Sequence, residues 1–540
     1  MARLRAPRHG FPHTLLLVMS LGLFMSCQNS ANSFSDKDVF RYNEFRNVTS
    51  LDPAFARNPQ NIWPVNQIFN GLVQLDHTLE VQPDIAKAWT LSEDGLEYLF
   101  HLRDDVFFHE SPVFGSEGTR KVVAADFVYS FDRLRDSKLA APGGWVMQNV
   151  DSYEAIDKHQ LRIRLRKPYP AFLGLLSMRY CSVVPKEAVI QLGAQFRSNP
   201  IGTGPFQFQF WEEDVKLVLR KNPLFFEKDS LGQPLPYLEA VAIQFIPDIQ
   251  SEFMLFLQGK LDFLNSLDSS YKDELLTATG KLQPKYESKV NLQVGPYLNT
   301  EYIGIYLESE NPAIQSLAIR KALSLGLDRE KLVLYLRNNI GFPATQGFIP
   351  KGLPGHNDNH NAIYDPVEAR QLVRDYKEQT GKPPKLRLAT DANYLDICQY
   401  IQREVEKIGI QMQIDLMPTA SLRQAKSSGK LELFRASWIA DYPDAENYLG
   451  LYYSKNFSPG GPNYTHYSNS QFDQWFEEAY RIKDNLQRAQ RYQQMDSLVL
   501  AQHPVIPIYY DQAIRFVQKN IKGLPMNPIN ILELKRVKKE

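Results

Sequence analysis

The chain has 540 residues but only three cysteines, Cys27, Cys181 and Cys398. So small a number excludes a disulfide framework as the means of holding the fold together. Cys181 and Cys398 lie far apart in the sequence, and a bridge between them would join two of the domains predicted below and restrict their relative motion. We therefore predict that both are buried free thiols.

Neither charge sign is in surplus, since the chain has 61 basic and 61 acidic side chains. Loss of residues 1–26 would remove three arginines and no acidic residue, which leaves 58 basic against 61 acidic side chains. A protein that binds nucleic acid or an anionic membrane surface through its charge needs a basic excess. The composition therefore predicts no nucleic-acid partner.

The motifs of the common enzyme classes are also missing. The segment Gly202–Pro205 lacks the further glycine of a dinucleotide fingerprint and the lysine of a phosphate loop. His109 and Glu110 are not followed by the second histidine of a zinc-peptidase helix, and no Gly-x-Ser-x-Gly elbow occurs. His356 and His360 have a spacing that could bind a metal, but their Asn- and Asp-rich setting favours a solvated loop. We expect no enzyme, no cofactor and no metal site.

The one long apolar run lies near the N-terminus. Three arginines, Arg3, Arg5 and Arg8, precede the run Thr14–Ser26, which ends on a small residue directly before Cys27. The run is shorter than the roughly 20 residues of a membrane-spanning helix. This arrangement is typical of a bacterial lipoprotein signal, with residues 1–26 removed and a lipid attached to Cys27.

The following residues 27–37 are polar without apolar periodicity, which suits a flexible tether. The body would then lie in the periplasm or cell envelope, held to a membrane outside the cytoplasm. Two alternatives stay open at this point, an ordinary secretory signal cut near Ser26 and an uncleaved N-terminal anchor.

Residues 385–417 contain a strand–helix–strand pattern. Leu386–Ala389 is predicted as a strand, Leu395–Ile408 as an amphipathic helix that ends at Gly409, and the alternating segment Ile410–Leu416 as a second strand. This order predicts a right-handed βαβ unit with parallel strands.

Other segments predict a mixed α/β protein. Tyr98–Arg103 and Leu161–Leu165 have strand patterns, Asp126–Leu134 has a short helical pattern, and a long helical pattern extends from Ser470 towards Gln502. Four prolines in the last forty residues indicate an extended tail that returns to an earlier domain.

Short motifs occur in a fixed order along most of the chain. They are Leu51 to Pro53, Gln67 to Val73, Pro83 to Ala86 with Trp89, Ser92 to Gly95, Phe100 to Arg103, Val106 to His109, Ala124 to Ser130, Asn199 to Phe206, Ile319 to Leu323, Leu327 to Arg329, Tyr364 to Pro366 with Ala369, and Trp438 to Asp444. In this order they resemble the extracellular solute-binding proteins of family 5, the binding components of oligopeptide and dipeptide transporters.

The resemblance implies a large type II periplasmic-binding-protein-like fold with mixed sheets, an extra inserted domain and a hinge between two lobes. Mapped onto this sequence, domain I covers residues 38–75, 195–300 and 505–540, domain II is inserted at 76–194, and domain III covers 301–504. The glycine segment Asn199–Phe206 then becomes a tight structural turn and not a phosphate site.

The resemblance also implies site residues. The aspartate that matches Asp441 pairs with the α-amino group of the ligand in peptide-binding members, and a carboxylate supplies the charge and hydrogen bonds that a desolvated ammonium needs. Arg435 matches an arginine that meets ligand carboxylates in some members. The alternatives are that Asp441 caps a helix beginning near Asp444, and that Arg435 forms an ordinary salt bridge.

Three aromatic residues complete the predicted site. Trp438 and Tyr442 flank the aspartate, and Trp63 lies on the domain I segment expected to face them. Core packing is the alternative for each.

The predicted function is a lipid-anchored monomer that captures oligopeptides or dipeptides and delivers them to an ABC permease with its ATPase subunits. Other hypotheses are the same fold with a nickel chelate, haem, an oligosaccharide or an opine-like ligand, and an exported hydrolase or chaperone.

Overall fold

The computed structural model describes residues 38–265, 268, 270–358 and 363–540. The predicted signal, the tether and Cys27 lie outside these residues, as does His360. Within them, no helix has both the length and the apolar character that crossing a membrane requires. Cys181 and Cys398 are buried free thiols, as predicted.

The sheets described below are built from the following strands. In chain order they are β1 Val39–Asn43, β2 Val73–Leu75, β3 Val81–Pro83, β4 Ala86–Leu91, β5 Glu97–Leu102, β6 Val150–Ala155, β7 Gln160–Leu165, β8 Phe206–Glu212, β9 Lys216–Lys221, β10 Ala240–Gln244, β11 Phe263–Asn265, β12 Val290–Ile305, β13 Phe342–Pro343, β14 Lys385–Thr390, β15 Gln411–Leu416, β16 Leu433–Ile439, β17 Val505–Gln518, β18 Ile521–Lys522 and β19 Lys538–Lys539.

Helices cover the faces of these sheets. The α-helices are Pro59–Ile68, Ala124–Arg135, Phe172–Leu176, Lys186–Leu192, Ile249–Leu257, Lys272–Leu275, Pro312–Gln315, Leu317–Leu325, Arg329–Arg337, Pro366–Thr380, Leu395–Glu406, Thr419–Ser427, Glu446–Leu449, Ser470–Ala479 and Asn485–Gln502.

Two four-stranded sheets share one apolar core, which defines the first lobe. The first sheet has the order β1-β10-β9-β8 with β1 parallel to β10, and the second is the antiparallel sheet β4-β5-β7-β6. Their common core includes Phe40, Phe100 and Phe206 together with Leu534 from the C-terminal tail. The return of the tail to an early part of the fold is therefore confirmed.

The largest sheet continues from the first lobe into the second. Its order is β11-β17-β12-β16-β14-β15, with β13 also paired to β17. The long antiparallel pair of β12 and β17 lies beside β11 at one end and beside β16 at the other. Its register shifts between Pro296 and Thr300 and again between Glu301 and Tyr302. This irregular stretch joins the first lobe to the second lobe, whose cores contain Phe348 and Leu388.

The predicted βαβ unit is confirmed. β14 and β15 are parallel, with Leu388 opposite Ile414, and the helix Leu395–Glu406 connects them. Gly409 has a φ of +98°, which suits a residue without a β-carbon after a helix.

The single long helix predicted from Ser470 to Gln502 is wrong. Two helices cover this range, and the second begins after Asp484, whose side chain accepts a hydrogen bond from the Gln487 amide at 2.8 Å. Asn469 caps the first helix. The helical periodicity continued through the break because no glycine or proline marks it.

The three domains and their boundaries stay a prediction. The sheet β4-β5-β7-β6 falls within residues 76–194, while β12 crosses the predicted boundary at residue 300 without interruption.

The glycine segment packs directly against the backbone of the first long helix. A β-carbon on Gly202 would lie 2.1 Å from the Ile68 carbonyl oxygen, so only glycine fits there. The buried His109 ring holds the segment, because Nδ1 accepts from the Gly202 amide at 3.2 Å and Nε2 lies 3.0 Å from the Gly204 carbonyl oxygen. Those partners require a neutral ring with its proton on Nε2.

Burial lowers the pKa of His109 to about 4 from the ordinary 6.5. Between these values the unfolded chain binds a proton that the folded chain does not, so stability falls as the pH falls from 6.5 to 4. The predicted contribution is on the order of 3 kcal/mol. We expect the wild type to lose more stability than His109→Gln over this window in urea unfolding experiments. A stability difference between the two proteins that stays constant from pH 7 to pH 4 would contradict the prediction.

Candidate ligand-binding site

A cavity of about 650 Å³ lies between the two lobes. This volume falls within the roughly 300–1,000 Å³ of small-ligand sites. Both lobes contribute to its wall, which includes Arg57, Trp63, Asn66, Arg179, Tyr180, Tyr297, Tyr394, Ile439, Ala440 and Asp441.

Asp441 follows the end of β16 and is held in place by its neighbours. The Ala440 amide donates to the Leu298 carbonyl at 2.9 Å, which fixes the backbone just before Asp441. The Asn447 side chain accepts from the Asp441 amide at 3.2 Å and donates to the Asp441 carboxylate at 3.4 Å. It also accepts from Trp438 Nε1 at 2.9 Å. Asn447 and Trp438 therefore orient the aspartate.

The Asp441 carboxylate has no ion-pair partner among the described residues. It faces the cavity, and burial raises the pKa of the carboxyl, while the Asn447 hydrogen bond and the positive charge of Arg57 lower it. Arg57 lies on the first lobe and lines the same cavity. A cationic group that entered beside Asp441 would meet an uncompensated negative charge.

Asp444 holds the turn that leads into the short helix that follows. Its carboxylate accepts from the Glu446 amide at 2.9 Å, at the start of the helix Glu446–Leu449. Among the described residues, no backbone amide of this helix donates to the Asp441 carboxylate. The Glu446 amide, at the start of the helix, donates to Asp444 instead.

Arg435 lies behind the cavity wall. Its guanidinium forms an ion pair with Glu301, and both side chains are buried. It also stacks on the ring of Tyr394, which lines the cavity. In this structure Arg435 supports an aromatic wall residue, and its predicted contact with a ligand carboxylate stays a prediction.

The structure separates the three predicted aromatic residues. Trp63 lines the cavity and donates from Nε1 to the Asn530 carbonyl at 3.1 Å. Trp438 packs against the core of the second lobe. Tyr442 points away from Asp441 and lines a second cavity between the lobes.

Most of the wall residues were not predicted from the sequence, among them Arg57, Tyr180, Tyr297 and Tyr394. Arg57 comes from the loop before the helix Pro59–Ile68, and the tyrosines come from three separate parts of the chain. No local pattern marks them, because the packing of the lobes alone brings them together.

The histidines of the loop after Ile349 give no metal site in the described residues. His356 contacts the Ile349 carbonyl through Nδ1 at 2.7 Å. In the part of the chain that the structure describes, no three or more His, Cys, Asp or Glu side chains are placed to hold a metal ion.

A hydrogen-bonded cluster joins the lobes beside the second cavity. The half-buried Glu446 carboxylate accepts from the hydroxyls of Tyr169 at 2.9 Å, Tyr480 at 2.8 Å and Tyr442. Tyr169 belongs to the first lobe, whereas Glu446, Tyr442 and Tyr480 belong to the second. Nearby, Lys483 Nζ donates to the Glu93 carbonyl at 2.6 Å across the same junction.

Two lobes joined by a pair of long strands, with the cavity between them, define a type II periplasmic-binding-protein fold. Solved structures share this fold over almost the whole chain. The binding protein DppA from Helicobacter pylori, in complex with the peptide STSA, has a TM-score of 0.79 at 22% identity and covers 93% of this chain and 98% of its own. NikZ from Campylobacter jejuni, in complex with Ni(L-His), has a TM-score of 0.75 at 22% identity and covers 92% of this chain and 98% of its own.

Residues 80–460 match the model of bacterial extracellular solute-binding proteins, family 5 Middle. The chain belongs to this family of solute-binding proteins. The glutathione-binding protein GsiB of Escherichia coli O1:K1 is 23% identical over 493 residues, which cover 89% of this chain and 91% of the relative. The resemblance inferred from the ordered motifs is thus confirmed.

The Tyr169–Glu446 contact predicts an effect on lobe closure. Tyr169→Phe removes a hydrogen bond between the lobes that is worth about 1.5 kcal/mol because its acceptor is charged. The population of the open form should rise about tenfold relative to the closed form. Fluorescence energy transfer between labels on the two lobes measures this shift.

Tyr480→Phe is the matched control, because it removes a similar bond within the second lobe alone. Equal lobe separation in Tyr169→Phe and Tyr480→Phe would show that the contact does not hold the lobes together.

Proposed function

We propose that this protein is the lipid-anchored receptor of an ABC importer for short peptides. It captures a peptide between its lobes in the periplasm or cell envelope and delivers it to the permease, which is driven by its ATPase subunits. It acts as a monomer and catalyses no reaction. Closure needs contacts that the ligand makes only in the closed form, because a ligand with equal affinity for both forms shifts no population.

The observation that carries the peptide proposal is the unpaired Asp441 carboxylate in the cavity wall. An ammonium that leaves water requires a compensating negative charge, which Asp441 offers. The free α-amino group of a peptide has this chemistry. The charge of Arg57 on the opposite lobe suits the other end of a peptide, its carboxylate.

Relatives that bind glutathione and the peptide STSA support this choice. The relative in complex with Ni(L-His) makes an amino-acid chelate of nickel the alternative. If the amino group of the amino acid coordinates nickel in such a chelate, that group does not pair with Asp441. Native mass spectrometry of the purified protein, followed by calorimetry with a peptide and with nickel–histidine, separates the two ligands.

Asp441→Asn should weaken the binding of trialanine at least about 30-fold, since truncating one partner of a buried charge pair costs about 2 kcal/mol or more. N-acetyl-trialanine should bind weakly to both proteins because it lacks the ammonium. Isothermal titration calorimetry measures all four affinities.

Glu533→Gln is the control, because Glu533 lines the same cavity but lies 3.6 Å from the cationic Lys535. It should retain most of the affinity for trialanine. If the wild type binds trialanine and its acetylated form equally well, Asp441 does not hold the amino group.

Lipid attachment at Cys27 has its own test. Wild-type protein expressed in a bacterium should sediment with the membranes, and Cys27→Ala should move to the fraction that does not sediment. Cys181→Ala, which changes a buried thiol, is the control. Membrane association of Cys27→Ala at the wild-type level would exclude the lipid anchor.

A further inference from the structure

Two cavities lie between the lobes and share one wall. The second cavity has a volume of about 580 Å³ and is lined by Tyr98, Tyr169, Tyr442 and Tyr480 among other residues. Among the described residues, Leu79 is the one that lines both cavities. On the side of the second lobe, Asp441 lines the first cavity and the next residue, Tyr442, lines the second. Leu79 and the segment that contains Asp441 are therefore parts of the partition, together with the helix Phe172–Leu176, which packs against Tyr442.

Leu79 forms the tip of a short hairpin. β2 and β3 pair from Val73 opposite Pro83 to Leu75 opposite Val81. Asp76 closes the turn, because its carboxylate accepts from the Thr78 amide at 2.8 Å and from the Glu80 amide at 3.0 Å. The turn thus projects one apolar side chain from the first lobe towards the second.

The Leu79 side chain is buried against the second lobe, and the Leu79 backbone is strained. Leu79 is 7% exposed and belongs to the apolar cluster that contains Phe348, Leu353 and Tyr448. Its φ is +69°, a conformation in which a bulky residue is an outlier. Strain of this kind persists only where the surroundings enforce it, and it concentrates at ligand clamps and switch regions. A turn that only had to close the hairpin could place glycine or asparagine here.

We propose that Leu79 sets the size of the first side chain of a bound peptide by closing the ligand cavity off from the second cavity. This inference rests on the proposed function, in which Asp441 holds the α-amino group. Because Asp441 lies in the partition itself, the residue that carries this amino group is the one next to Leu79. The second cavity is then an additional subsite, closed in the wild type, that would accept a large apolar first side chain among its tyrosines.

The test compares tripeptides with free termini by isothermal titration calorimetry. The probes are Ala-Ala-Ala, Trp-Ala-Ala and Ala-Ala-Trp. The variant Leu79→Gly removes the side chain and suits the positive φ, so it relieves strain while it opens the partition. Leu79→Ala is the second variant, should the glycine protein be unstable in a thermal unfolding scan. Leu79→Met keeps the side-chain volume, and Leu91→Ala enlarges the second cavity alone, since Leu91 lines only that cavity.

The affinity of Leu79→Gly for Trp-Ala-Ala, relative to Ala-Ala-Ala, should exceed the wild-type ratio by at least about tenfold, the lower end of discrimination by one pocket contact. Leu79→Met and Leu91→Ala should keep the wild-type ratio, and Ala-Ala-Trp should gain nothing in any variant. An unchanged ratio in Leu79→Gly, or an equal gain for Ala-Ala-Trp, overturns the role of Leu79 while the peptide function stands. A wild type that binds none of the three probes overturns the peptide function and this inference together.

Discussion

The pairing of β12 with β17 is the constraint on which the rest of the structure depends. These strands are paired with each other in both lobes, so the chain crosses between the lobes at this place and a cleft can form beside it. The register shifts near Pro296 and Glu301 interrupt the ladder at this junction. A regular ladder would resist bending, whereas bulges concentrate twist and bending at a few residues. Leu298, in the same stretch, accepts from the Ala440 amide and so ties the site to the junction.

The charged residues around the cavity form two layers, one that lines the cavity and one behind it. The charged side chains of Asp441 and Arg57 line the cavity, and neither has an ion-pair partner of its own lobe in the part of the chain that the structure describes. Behind them, Glu301 and Arg435 compensate each other in a buried pair that supports the ring of Tyr394. Breaking a buried pair leaves a desolvated charge, so these inner residues resist change even though they are not among the residues that line the cavity. The cavity wall can thus present unpaired charges to a ligand, because the charged residues behind that wall are paired with each other.

The sequence predicts features that are fixed by neighbours in the chain. The βαβ unit, for example, follows from the apolar periodicity of residues 385–417 and from the glycine that ends its helix. Asp441 was predicted only through the resemblance, because a single aspartate after a strand has no local signature of binding. Arg57 and Leu79 were missed for a physical reason. Each reaches the cleft through the packing of one lobe on the other, which no periodicity within a segment encodes.

Two neighbouring residues in the bend after β16 have different surroundings. Asp441 lines the first cavity, while the Tyr442 hydroxyl donates to Glu446 and Tyr442 lines the second cavity. Movement of this segment on ligand binding would therefore move the Tyr442 hydroxyl, which donates to Glu446 and accepts from Tyr169 of the first lobe at 3.1 Å. Glu446 gains its full set of tyrosine partners only when the lobes meet, and burial raises the pKa of its carboxyl in that state. Removing this carboxylate from water costs free energy and so opposes closure. The hydrogen bonds from the tyrosine hydroxyls offset that cost. A balance of this kind keeps the closed form dependent on the ligand, as a receptor that must release its cargo requires.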